Sequence, residues 1–210
     1  MRNIKNSSSL SIILLAIIAT FLCVYSCTKP LTFTQSELDL IGTDSTAGIM
    51  RLFVADNPAD TLVLRSVSSD LTSEDIKSGY YSTLKKRMLA TVLDTANTGV
   101  GIAAPQVGIN KRLVAVQRLD KEGEPFELYA NIRFVELSKE CKWGWEGCLS
   151  VPGKRDTVQR STRVIISFLD DNTLTEKRDT IEGFTAVIFQ HEVDHLEGIL
   201  YTDRTQKQIK

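Results

Sequence analysis

Histidine is almost absent from this 210-residue chain, which contains only His191 and His195. Excess charge is absent too, because 25 Lys and Arg face 26 Asp and Glu, for a formal net charge of −1. Without a basic surplus to neutralise phosphates, nucleic acid is not an expected partner. The composition, 42% hydrophobic and 24% charged, is that of an ordinary globular protein and excludes a disordered chain or a multi-span membrane protein. The length suits one domain with a sizeable core.

The chain also lacks an apolar run of the roughly 20 residues that a membrane-spanning helix needs. Its longest run, residues 10–24, follows a start that carries Arg2 and Lys5 but no acidic group. This layout is typical of a secretory signal. Val24-Tyr25-Ser26-Cys27 resembles the signal box of bacterial lipoproteins, in which the cysteine is lipidated. We therefore expect a signal segment over residues 1–26 and an exported domain, anchored through Cys27 to the cell envelope (periplasm or outer membrane face). An uncleaved N-terminal anchor is the alternative.

The rest of the chain predicts an α+β fold of mostly antiparallel strands, with an N-terminal helix and a C-terminal helix that carries both histidines. Residues 27–50 show no sustained period and are interpreted as a tether, which leaves residues 51–210 as the folded domain. Thr72 and Asp75 form a capping-box pattern that begins a helix over residues 73–96. Strands are predicted over 112–118, Phe126–Leu137 and Arg163–Leu169, and a last helix over 183–197 that stops at Gly198.

The strongest chemical signal is the motif HExxH, His191-Glu192-Val193-Asp194-His195. Residues four apart share one face of a helix, so the two imidazoles can coordinate one metal ion. Glu192 adjoins the first ligand and is placed to act as a general base. A solvated helix face on which two histidines occur by chance is the alternative.

Two histidines need a third ligand, and the sequence contains no other histidine. Cys148, in the sequence Glu146-Gly147-Cys148-Leu149-Ser150, is the candidate, because a thiolate on a glycine-flanked turn can reach a metal. The alternatives are a disulfide between Cys141 and Cys148 or an inert buried thiol.

A third motif, Gly99-Val100-Gly101-Ile102-Ala103-Ala104-Pro105-Gln106, has small residues that allow close approach of a ligand. Gly99 and Gly101 are therefore candidate substrate-binding positions. No Lys or Ser/Thr follows as a phosphate-binding loop requires.

In this order, GxGxAAPQ, EGCLS and HExxH strongly resemble the peptide deformylase family, over roughly residues 51–204. The resemblance implies a metal-dependent hydrolase that releases formate from N-formylmethionyl peptides. It further implies one divalent ion, Fe²⁺ or Zn²⁺, held by Cys148, His191 and His195. Glu192 would move the proton, and the Gln106 amide and the Leu149 backbone N–H would stabilise the developing oxyanion.

The substrate pocket follows from helical geometry. Phe184, Val187 and Ile188 lie on the face of His191 and could wall a methionine-sized pocket, although plain core packing explains the same spacing. Arg155 is a candidate contact for the substrate backbone. Asp194 is expected to orient His195 or to pair with Arg160.

Two other functions compete with this interpretation. A zincin-type peptidase shares HExxH but requires a third ligand after the helix, where Glu197 and Asp203 are the only acids. A non-catalytic lipoprotein that binds formyl peptides or metal would have no need of Glu192 or Gln106, and both are present.

Overall fold

The computed structural model describes residues 30–42 and 48–205. The predicted signal segment and the lipidation site Cys27 lie outside these residues. Within the described ranges, no helix is both long and apolar enough to cross a membrane.

Along the described chain, four helices come first, seven strands follow, and a fifth helix comes after the strands. The helices are α1 (Gln35–Ile41), α2 (Pro58–Leu64), α3 (Ser73–Lys77), α4 (Gly79–Val92) and α5 (Gly183–Leu196). The strands are β1 (Gly101–Ala103), β2 (Leu113–Gln117), β3 (Phe126–Leu137), β4 (Cys141–Cys148), β5 (Val151–Ser161), β6 (Arg163–Leu169) and β7 (Glu176–Glu182). Short 3₁₀ turns cover Ala104–Val107 and Tyr201–Asp203.

The strands form a five-stranded sheet in the order β1-β2-β3-β6-β7 and a separate hairpin of β4 and β5. Every neighbouring pair is antiparallel, which confirms the predicted α+β class. Successive residues of a strand face opposite sides of the sheet. In β2, Leu113 and Ala115 pack into the core formed with α4, whereas Val114 and Val116 pack into the core formed with α5. The large sheet is therefore buried on both faces at its centre.

This arrangement brings the three motifs together. Helix α5 packs on β1 and β2, and the 3₁₀ turn Ala104–Val107 follows β1 directly. The hairpin approaches the same helix through β5, and Cys148 lies at the end of β4. Gly198, which has φ of +69°, ends α5 as predicted. A side chain there would also collide with the carbonyl oxygen of Arg65, 2.4 Å from a Cβ.

The prediction of a single helix over residues 73–96 is wrong, because the helix is interrupted at Ser78. Ser78 is extended (φ −76°, ψ 154°), and its hydroxyl caps α4 by accepting from the N–H of Tyr81 at 3.2 Å. A serine followed by Gly79 favours such a cap over continuous helix. Helix α4 also stops earlier than predicted, at Val92, where Asp94 accepts from the N–H of Ala96 and forms a turn.

The predicted tether is partly folded, which corrects the interpretation of residues 27–50 over the described range. Thr34 and Glu37 form a capping box at the start of α1. Phe33 and Ile41 are buried in the same core as α4. Arg87 closes the other end of α1 by donating to the Ile41 carbonyl at 2.8 Å. The capping box resembles that of Thr72, but here the helix is short and its apolar period is too brief to detect in the sequence.

A buried carboxylate holds this segment against the domain. Asp75 accepts from the N–H of Thr32 at 2.8 Å and from its hydroxyl at 2.5 Å. Lys111 donates to the Thr32 carbonyl at 2.8 Å. Burial raises the pKa of Asp75, but the hydrogen bonds from Thr32 and Thr72 outweigh burial and lower it. The chain is therefore fixed to the domain at Thr32.

Candidate active site

Three potential metal ligands from two parts of the fold converge on one point. The ligand atoms of Cys148, His191 and His195 all lie within 4.8 Å of one another. The Cys148 Sγ is 3.2 Å from the His195 Nε2. One thiolate and two imidazoles are the donors that Zn²⁺ and Fe²⁺ accept. The geometry and chemistry of these residues therefore fit a single divalent ion.

Glu146 holds one of the two histidines in the orientation that a ligand needs. Its Oε2 is 2.8 Å from the Nδ1 of His191, which leaves the Nε2 of that ring for the metal. Arg160 fixes the carboxylate from behind, with Nε at 2.7 Å from Oε1. Burial raises the pKa of Glu146, but the hydrogen bonds with His191 and Arg160 outweigh burial and lower it to about 2. This role of Glu146 was not predicted from the sequence. The sequence feature that could have indicated it is the spacing of Glu146 and Cys148, because residues two apart on a strand face the same side.

Asp194 does not orient His195, which corrects one of the two expectations for this residue. Its Oδ2 lies 2.6 Å from Arg160, as the other expectation stated, and Arg204 donates to both of its oxygens. The Nδ1 of His195 is buried without a hydrogen-bond partner in the described part of the chain. Burial, the largest cause, and the nearby positive charges of Arg160 and Arg65 hold the pKa of His195 well below its usual value. A neutral ring is the form that binds metal.

Glu192 is a buried carboxylate with an unused oxygen. It is only 4% exposed, and its Oε2 finds no hydrogen-bond partner among the described residues. Burial raises the pKa of Glu192 to about 7. A carboxyl group with a pKa near neutrality can both accept and return a proton at physiological pH. Glu192 therefore has the properties of a general acid–base.

The side chain of Gln106 is held with its donor end toward the site. Its Oε1 accepts from the N–H of Ala103 at 2.8 Å, which fixes the orientation of the amide. Its Nε2 then points to Ser150 Oγ at 3.3 Å and to Cys148 Sγ at 3.6 Å. A buried amide donor fixed in advance is suited to stabilise negative charge on a reacting oxygen.

A cavity of about 550 Å³ opens beside these groups. Its size lies in the range of small-ligand sites. Glu192, Gln106 and Leu149 line it. The structure also brings to this cavity all the predicted substrate-binding residues, which are Gly99, Gly101, Arg155, Phe184, Val187 and Ile188.

Gly101 has a different near neighbour from the one that the sequence suggests. A Cβ at this position would lie 2.5 Å from Oε1 of Glu192. The glycine therefore makes room for the carboxylate. From the sequence alone, the small size of Gly101 was expected to serve only the approach of a substrate.

The fold decides between two alternatives for the cysteines. Cys141 and Cys148 are both free thiols at opposite ends of β4. At about 3.3 Å per residue, an eight-residue strand separates their Cα atoms by roughly 23 Å, whereas a disulfide needs less than about 7 Å. A bridge between them is incompatible with this fold.

The late acidic residues that a zincin-type peptidase would need are engaged elsewhere. Glu197 accepts from Arg112 at 2.7 Å. Asp203 is bound by Arg65 and by the N–H of Leu200. The third ligand position instead belongs to Cys148, upstream of the helix.

A helix with HExxH packed on an antiparallel sheet, a cysteine from a neighbouring hairpin and a desolvated carboxylate define a metal-dependent hydrolase. Comparison with known proteins identifies the family. The model of the family described as "Polypeptide deformylase" matches residues 50–210. The chain belongs to the peptide deformylase family.

Relatives and solved structures agree with this assignment. A peptide deformylase of Leptospira biflexa is 37% identical over 149 residues, which cover 68% of this chain and 82% of the relative. A class I type b peptide deformylase from Acinetobacter baumannii with bound Met-Ala-Ser is 33% identical, with a TM-score of 0.65 over 74% of this chain and 98% of that chain. An actinonin complex of a peptide deformylase from Synechococcus elongatus is 31% identical, with a TM-score of 0.66 over 78% of this chain and 84% of that chain.

Proposed function

We propose that this chain hydrolyses the N-formyl group of N-formylmethionyl peptides and releases formate and a free amino terminus. The observation that carries the proposal is the buried carboxylate of Glu192 beside the cluster of Cys148, His191 and His195, because its Oε2 has no hydrogen-bond partner among the described residues. Membership of the peptide deformylase family supports the same reaction.

Cys148, His191 and His195 would hold the metal, which we propose to be Fe²⁺ or Zn²⁺ because both accept one sulfur and two nitrogen donors. When bound, the ion supplies positive charge that makes water acidic near neutral pH and polarises the formyl carbonyl.

The residues of the chain move the proton and stabilise the charge. Glu192 takes a proton from the attacking water as the water oxygen bonds to the formyl carbon. Glu192 then returns this proton to the methionine nitrogen as the C–N bond breaks. The Gln106 amide and the Leu149 backbone N–H donate to the carbonyl oxygen while it carries negative charge. No covalent intermediate is needed, so Cys148 acts as a ligand and not as a nucleophile.

The cavity beside Glu192 would bind the peptide. Phe184, Val187 and Ile188 offer an apolar wall for the methionine side chain. Arg155 lies across the β4–β5 hairpin from Gly147 and would contact the substrate backbone. An apolar pocket of this kind favours methionine over shorter side chains by about 1–3 kcal/mol per missing methylene.

The reaction is tested by formate release from formyl-Met-Ala-Ser, with acetyl-Met-Ala-Ser and unformylated casein as controls. We expect formate from the formyl peptide and no cleavage of either control. New amino termini from casein, without formate from the formyl peptide, would instead indicate a peptidase. Tight binding of the formyl peptide without formate release would indicate a binding protein.

We further propose that the protein is exported and lipid-anchored to the cell envelope through Cys27. The basic start, the short apolar run of residues 10–24 and the Val24-Tyr25-Ser26-Cys27 box support this location. Metabolic labelling with radioactive palmitate tests it in a bacterial host. We expect labelled protein, a mature amino terminus at Cys27 and loss of label in Cys27→Ser. An unlabelled protein that keeps residues 1–26 would contradict the proposal.

A further inference from the structure

A second cavity, of about 560 Å³, adjoins the candidate active site. The two cavities share Phe184 and Val187, so they meet at the first turns of α5. None of the three candidate metal ligands and neither Glu192 nor Gln106 lines the second cavity. The chemistry described above does not use it.

Exposed aromatic side chains run from one cavity to the other. Trp145 lines the active-site cavity and is 65% exposed, and Trp143 lines the second cavity and is 48% exposed. Phe184 lines both and is 58% exposed. Trp143 and Trp145 are two residues apart on β4, so their side chains project from the same face, about 7 Å apart along the strand. Large aromatic side chains left in water around a concave surface are typical of a binding site.

The charges around the second cavity favour an uncharged occupant. Two acids and three bases line it, so neither sign dominates: Glu140, Glu182, Lys142, Arg160 and Arg163. Arg160 is paired with Glu146 at 2.7 Å. Arg163 is paired with Glu136 at 2.5 Å. The apolar contribution comes from Trp143, Phe184, Val187 and Val158. Such a surface gains free energy mainly by burying apolar side chains.

We propose that the second cavity binds apolar side chains of the substrate that follow its third residue, so that the enzyme prefers long formyl peptides with a hydrophobic continuation. This inference rests on the proposed function. The continuity of the two cavities across Phe184 supports it, because a peptide that leaves the first cavity over this ring enters the second. An extended peptide advances about 3.3 Å per residue, so the spacing of Trp143 and Trp145 matches two residues.

The test compares three substrates on the full chain. They are formyl-Met-Ala-Ser, the apolar formyl-Met-Ala-Ser-Leu-Leu-Phe-Lys amide and the polar formyl-Met-Ala-Ser-Ser-Gly-Asn-Lys amide. We expect kcat/KM for the apolar peptide to exceed that for the polar peptide by about tenfold, mainly through KM, because these contacts are equal in ground and transition states.

Trp143→Ser is the informative variant, because Trp143 lines only the second cavity. It should reduce the apolar preference to twofold or less and leave the rate on formyl-Met-Ala-Ser unchanged. Leu62→Ser is the matched control, because Leu62 is 75% exposed on α2 and lines neither cavity. It should keep the full preference. No preference in the unaltered chain, or an equal loss in both variants, would overturn the inference while leaving deformylation intact.

A photo-crosslinking experiment separates this inference from the proposed function, because it needs no turnover. The apolar peptide carries p-benzoylphenylalanine in place of its phenylalanine, and the crosslinked fragment is identified by mass spectrometry. Crosslinks to β4 near Trp143 or to α5 near Phe184 are expected even if no formate is released. Crosslinks confined to other surfaces would overturn the inference whatever the activity. Crosslinks that the unlabelled polar peptide reduces as strongly as the unlabelled apolar peptide does would overturn it as well.

Discussion

Replacing Gly101 by alanine should disable the general base without touching a metal ligand. A Cβ at this position would lie 2.5 Å from Oε1 of Glu192 and 2.9 Å from its Cδ. Real Cβ atoms essentially never approach a neighbour more closely than 3.0 Å. The carboxylate must therefore move by roughly 0.5 Å or more, and a displacement near 1 Å can cost about 10²-fold in rate. We expect kcat to fall about 10²-fold, with unchanged metal content and a KM altered less than threefold.

The assay is steady-state formate release from formyl-Met-Ala-Ser, combined with a double-mutant cycle. If Gly101→Ala acts through Glu192, it should add little to the loss caused by Glu192→Gln. Gly144→Ala is the matched control, since a Cβ at Gly144 meets nothing within 4 Å, and it should keep the full rate. The same fold loss from Gly101→Ala in both backgrounds, or a raised KM with unchanged kcat, would refute the reasoning and point to crowding of the substrate instead.

Other substitutions test the remaining parts of the site and the fold. Glu192→Gln should lower turnover by about 10²–10⁴-fold while metal analysis still finds one ion per chain, and a near-normal rate would remove its assignment as the base. Cys148→Ser should lose most of its metal and Cys141→Ser should keep it, as measured by metal stoichiometry; equal losses would contradict the three-ligand site. Glu146→Gln should weaken metal binding about 10–100-fold in a chelator competition, because His191 loses the carboxylate that orients it. Asp75→Ala should lower the free energy of unfolding in urea by about 2–3 kcal/mol, and an unchanged midpoint would mean that the segment around Thr32 contributes nothing.

The sequence predicted the elements that turn residues separate clearly. Strands β3 and β6 begin and end as predicted from the runs between turns, and α5 differs by one residue at its end. The hairpin β4–β5 and the edge strand β7 were missed. Strand β7 buries only Ile181 fully, and most of β4 is exposed, so neither strand carries an alternating apolar pattern.

The candidate site shows a similar division. The spacing of His191 and His195 on one helix is a local property, so their joint role as ligands can be inferred from the sequence alone. The contacts of Glu146 with His191 and Arg160 depend on the docking of a hairpin against a helix, which no local pattern encodes. The contact between Gly101 and Glu192 depends in the same way on the packing of α5 against β1.

The most direct test of the central claim is a metal titration of the metal-free full chain, under reducing and anaerobic conditions, followed by formate release from formyl-Met-Ala-Ser. Activity should rise in proportion to added Fe²⁺ or Zn²⁺ and stop rising at one ion per chain, while Cys148→Ser stays inactive over the same range. Full activity without an added ion, or equal activation of Cys148→Ser, would contradict a single ion held by Cys148, His191 and His195.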